Sequence, residues 1–194
     1  MRVNNCWKFT SLIVAGAMVA GSLFAITPAA EQRESRAAAD DRNFHAEASQ
    51  LLKEIRSSAA NLDREGSALE SYTRGRLSWE SHAKRLTTTK EHINTIGRHL
   101  NRLQTIRHEV LPWHQQAIDS ILPSAAQVAS STQAAIVHLT ENRHYLWAPE
   151  YLDHLKTIAD HAGQLKKFVD LHLDLASAQD KLEELRSRSA SIGS

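Results

Sequence analysis

Histidine is the residue whose chemistry this chain offers in greatest supply, with eleven copies, the first at His45. Neutral imidazole ligates zinc, copper and haem iron, and a helix usually supplies two such ligands from one face, three or four positions apart. No two histidines here have that spacing. The one Glu-x-x-His runs from Glu141 to His144 and points away from the apolar stripe through Val128, Leu139 and Leu146. A di-iron bundle needs inward carboxylates on all four helices, and the sequence lacks them. The remaining candidates are histidines on different segments that folding brings level. Antiparallel folding puts His99 and His172 level with Pro123, where two imidazoles would be axial ligands of a b-type haem. It gathers His82, His144 and His154 in another layer, as candidate ligands of a transition metal.

That second layer also collects Tyr72, Trp79, Tyr145, Trp147 and Tyr151. Aromatic rings cap the end of a core well, because one edge is apolar and the other tolerates water. They are also favoured at binding surfaces, so Trp79, Tyr145, Trp147 and Tyr151 are candidate partner-binding residues. A basic run, Lys84, Arg85, Lys90, Arg98, Arg102 and Arg107, is opposed only by Glu91, with Arg98 and Arg102 one turn apart. Such a face either pairs with acidic neighbours or meets an anionic envelope component with salt-sensitive affinity. For catalysis there is no candidate. Ser57-Ser58, Thr87-Thr88-Thr89 and Ser130-Ser131-Thr132 lie in helical pattern rather than in a strained turn that would present a nucleophile, so the chain reads as non-enzymatic.

The elements that must position these residues are helices. Between Asp40 and Arg188 there are four glycines and three prolines, and apolar residues recur every three or four positions. One stripe, Phe44, Ala48, Leu51, Ile55, Ala59, Leu62, Leu69 and Tyr72, predicts a helix over 40–74, ending near Gly75. A second, from Trp79 to Val110, predicts a helix over 77–110, closed by Leu111-Pro112. A third opens on Pro112 and runs through Leu146, with Pro123 inside as a kink or a restart. The fourth follows Pro149 through Leu152, Leu155, Ile158, Ala162, Leu165, Val169, Leu173, Ala176, Leu182 and Leu185. Four helices of roughly 35 residues with short links give an all-α, antiparallel up-down-up-down four-helix bundle over 40–188. The alternative is a longer kinked second helix running through Pro112 to Leu122. Residues 31–39 read as a flexible linker and 189–194 as a disordered tail.

Ahead of the bundle, Arg2 and Lys8 precede an apolar run from Phe9 to Ile26 that closes on Thr27-Pro28-Ala29-Ala30. This is the pattern of a secretory signal over residues 1–30, cleaved after Ala29 or Ala30. An uncleaved anchor is the alternative, and either would send the remainder across the membrane to the periplasm or beyond. Cys6 lies before the apolar run, so the lipoprotein pattern is absent. Cleavage would remove the only Cys and both Met residues, and with them disulfides, thiolate chemistry and His/Met haem ligation. It would also take Arg2 and Lys8 from 23 basic residues, leaving 21 against 22 acidic ones, which argues against a nucleic-acid partner.

The segments Leu111-Pro112-Trp113-His114-Gln115-Gln116-Ala117-Ile118 and Ala148-Pro149-Glu150-Tyr151 resemble uncharacterised exported helical-bundle proteins of bacteria with no assigned activity. That resemblance implies an exported helical chain and carries over no functional residue. The expectation is a periplasmic bundle that binds a protein or envelope component without a cofactor. The alternative is a histidine-dependent metal or b-haem bundle, and a third reading is a structural homo-oligomer.

Overall fold

The computed structural model describes residues 28–75 and 77–192, and among them every regular element is helical. The expected signal segment lies outside the described residues as far as residue 27. The elements are α1 (Pro28–Tyr72), α2 (Trp79–Thr105), a single 3-10 turn (Arg107–Glu109), α3 (Pro112–Glu141) and α4 (Pro149–Ile192). No described helix is long and apolar enough to cross a membrane.

The helices are unequal, against the expectation of four near 35 residues: α2 and α3 have 27 and 30 residues, α1 and α4 have 45 and 44. The inner two are bounded by chain turns at both ends, at 73–78, 106–111 and 142–148. Residues 31–39, expected as a linker, are helical. Pro28 suits a first helical position, and the Ala-, Glu- and Arg-rich stretch after it contains no breaker. Residues 189–192 are likewise part of α4 rather than a disordered tail.

The α2–α3 turn falls at Pro112, and the longer second helix is not formed. Leu111 is extended, with φ −59° and ψ 152°, as a residue before proline prefers, and Pro112 opens α3. Pro123 sits exposed inside one continuous α3, so it does not restart the helix. The expected third helix stops early: the Asn142 amide still donates to the His138 carbonyl, and residues 142–148 then form a loop ending at Pro149.

The helices pack in a ring, α1 on α2, α2 on α3, α3 on α4 and α4 on α1. Each presents a seam spaced alternately by four and three: Ala48, Leu52, Ile55, Ala59, Leu62, Gly66 and Leu69 on α1, and Leu86, Thr89, Ile93, Ile96, Leu100 and Leu103 on α2. Tyr151, Leu155, Ile158, Ala162, Leu165 and Val169 do the same on α4. A 3.5-residue period keeps one seam turned inward when helices wind about each other. Leu52 rather than Leu51 is the fully buried member of α1, because the seam follows that period. Cross-helix pairs run in opposite order: Glu47 meets Arg102 and Glu65 meets Arg85, while Arg56 meets Asp170. At Gly66 a Cβ would lie 3.0 Å from the Ala159 Cα, so the α1 and α4 backbones nearly touch there.

The α4 stripe divides. Leu182 and Leu185 are exposed, not core. Thirteen positions at roughly 100° each carry Leu182 about 220° round the helix from Val169, onto the far face.

Candidate functional site

The end of the bundle where α1 turns into α2 and α3 into α4 holds the most polar chemistry of the described core. His82 and Tyr151 are both buried and share a hydrogen bond of 2.8 Å between Nδ1 and the phenol oxygen. Tyr72 stands edge-on to the His82 ring at 5.0 Å, and His138 stacks on Tyr151 at 5.0 Å. His138 donates from Nε2 to the Tyr145 carbonyl at 3.1 Å, which ties the loop to the helix beneath it. Arg85 donates to the Tyr72 oxygen at 3.1 Å and to Glu65 at 2.7 Å, fixing the other wall. Burial holds the His82 imidazole below its ordinary range and pushes the Tyr151 phenol up, so both stay uncharged near neutral pH.

Above this network lies a cleft of about 560 Å³ lined by Tyr72, Thr73, Leu77, His82, Leu146 and Trp147 among others. With Nδ1 committed to Tyr151, Nε2 is the His82 ring atom that can meet a ligand there. The loop after α3 presents Tyr145 and Trp147 side by side, ring centres 5.7 Å apart, at 60% and 69% exposure. The Tyr145 amide bonds to the Asn142 carbonyl and the Ala148 amide to the Tyr145 carbonyl, so the loop is braced. Such an arrangement can take up an apolar or aromatic group against a wall with one neutral hydrogen-bonding nitrogen. The hydroxyl bonded to His82 is the phenol of Tyr151, which is itself buried.

The other sequence candidates are distributed as follows. Trp79 leaves the aromatic group, lying half-buried in a groove between α2 and α3 under the Arg143 guanidinium, 4.5 Å from its ring centre. His144 is exposed on the loop and His154 half-buried on α4. Among the described residues no three His, Cys, Asp or Glu side chains are grouped to hold a metal ion, so His82, His144 and His154 are not brought together. His99 faces Glu54 of α1 at 3.5 Å, whereas His172 bonds to Ser120 of α3 at 3.2 Å. They belong to different helix interfaces. On the basic face, Arg102 grips Glu47 with two bonds of 2.6 and 2.8 Å, Arg107 pairs with Asp119 and Arg85 with Glu65. Arg98 bonds to Thr95 of its own helix at 2.9 Å. The acidic side chains of α1 and α3 thus take up half of the basic run.

Sequence reasoning missed His138 as a support of the loop, and it missed a second histidine cluster at the opposite end. There His114 is 1% exposed, stacked on Trp113 at 3.7 Å and bonded through Nε2 to Ser49 at 3.0 Å. His45 stacks beyond it at 6.1 Å, and the Nδ1 atoms of both rings are buried without a hydrogen-bond partner. Burial, aided by the charge of His45, lowers the His114 pKa to about 4. The signal was present in the sequence, because His114 is in phase with Ile118, Ile121 and Val128.

No protein-family model, curated protein or solved structure matches the chain.

Proposed function

We propose that this chain is an exported, non-enzymatic helical bundle that binds a partner protein or envelope component through the aromatic end. The observation that carries the reading is the braced, exposed pair Tyr145 and Trp147 beside the cleft over His82. A large aromatic side chain left in water forgoes burial, and rigid Tyr and Trp side chains on a held loop lose little freedom when something covers them. We also take the bundle to be antiparallel, up-down-up-down, which the reversed order of the cross-helix pairs supports. Export rests on the signal pattern of residues 1–30.

The test is a photo-crosslinking amino acid placed in turn at Leu77, Tyr145 and the exposed α3 position Gln127 of the expressed chain. A discrete adduct from Leu77 and Tyr145, absent from Gln127 and abolished by Trp147→Ala, is the expected result. Equal labelling at all three positions, or none at the first two, would overturn the reading. Cell fractionation with N-terminal sequencing should find the chain outside the cytoplasm, starting at Ala30 or Glu31. A Soret band or stoichiometric metal in untagged protein would replace this reading with the histidine-bound cofactor.

A further inference from the structure

The outer face of α4 carries an apolar seam that the bundle does not use. Leu171, Leu175, Leu182 and Leu185 are 51–61% exposed, and Ala178, also exposed, completes a four-three-four-three spacing. That is the spacing of a coiled-coil seam, and it lies on the side of α4 opposite Leu165 and Val169. α1 and α3 pack on the core side, through pairs such as Arg56–Asp170 and Ser120–His172, so neither is placed to cover it. From Ser177 to Ser191 every α4 residue is exposed.

We infer that a second copy of this chain covers the seam, with the two α4 helices antiparallel. The seam is self-complementary. A two-fold axis between Ala176 and Ser177 sets Leu171 against the partner's Leu182 and Leu175 against the partner's Ala178. Phe168, at the edge of this side and half-buried because it packs in part against the bundle core, then meets the partner's Leu185. Asp174 and Lys181 flank the seam one heptad apart on the same edge, and the same axis brings Asp174 of each copy to Lys181 of the other. The parallel alternative sets Lys181 against Arg186 twice, like charge on like. Asp174 also lies 3.5 Å from Arg56 of its own chain, an exposed contact that leaves its carboxylate able to serve both cations. The helix is already formed, so pairing does not carry the cost of folding it. Leu171 to Leu185 spans only about 22 Å at ~1.5 Å per residue, which suits a reversible dimer of micromolar affinity rather than an obligate one.

Sedimentation velocity of the full chain from about 1 to 100 µM tests this, a range in which a micromolar complex titrates. The native chain should shift from monomer to dimer, and Leu175→Glu with Leu182→Glu should remain monomeric with an unchanged helical spectrum and melting temperature. Lys181→Glu should weaken the dimer about tenfold, and Asp174→Lys added to it should restore it. A monomer throughout the range, or equal sedimentation of the native and double-leucine chains, overturns the inference. Strengthening by Lys181→Glu overturns the antiparallel arrangement, because a parallel pair would gain a Glu–Arg contact there.

Discussion

At the end where α1 turns into α2, His82 is buried beside a tyrosine that takes its Nδ1, under an open cleft and two exposed aromatics. At the end where α2 turns into α3, His114 is buried beside a serine that takes its Nε2, under Trp113 and His45, with its other nitrogen unpaired. The two sites use the same residue types to different effect. The first pairs its Nδ1 with a tyrosine that is itself buried and turns its other ring nitrogen toward the cleft above. The second closes over its histidine and leaves one ring atom unsatisfied, which makes it dependent on remaining neutral.

The largest effect that would break this comparison is pH dependence at the His114 end. With a folded pKa of about 4 against an ordinary 6.5, the unfolded chain takes the proton first as pH falls. The stability is therefore fully present above about pH 6.5 and lost progressively down to about pH 4, by on the order of 3 kcal/mol. Urea denaturation over that range should show the loss, and His114→Phe should remove most of it. His82, lowered by burial as well, contributes in the same direction. A native chain as stable at pH 5 as at pH 7.5 would mean that the His114 end opens to water.

Tyr151→Phe is the matching change at the aromatic end. It strands the His82 Nδ1 in the core and should cost about 2 kcal/mol, the usual penalty for an unmet buried polar group. A double-mutant cycle with His82→Phe should recover part of that loss, since removing both partners leaves nothing unpaired. Ser49→Ala, which withdraws the hydrogen bond to the His114 ring, should cost less, about 1 kcal/mol, because Ser49 is itself only half-buried. Smallest in stability is Trp147→Ala, expected within about 0.5 kcal/mol of the native chain in the same denaturation assay. That contrast sharpens the comparison: the exposed tryptophan should matter for adduct formation and not for folding.

Much of this architecture was legible in the residues. The break at Leu111-Pro112, the restart at Pro149 and the seams of α1 and α2 follow from local rules, and the structure departs from them at helix ends, as where α3 stops at Glu141 and α1 takes in residues 31–39. The histidines were harder. His82 and His154 were both expected in one layer at the same end of the bundle, yet His82 is buried and His154 half-buried. Which it would be depends on what another helix places opposite. Tyr151 and Trp147 lie four positions apart, and one is wholly buried while the other is 69% exposed, because α4 begins between them.

Local sequence was enough to set a run of helices, their punctuation and their apolar seams, since propensity, proline geometry and heptad spacing act within a few residues. Tertiary structure decided the rest. It set which buried histidine turned its second nitrogen to a cleft and which had it sealed without a partner, which aromatics sank into the core and which stayed in water. It also left the last leucines of α4 facing outward. Those outcomes turn on the register between helices and on which face of each helix meets its neighbours, and neither is written in any one segment.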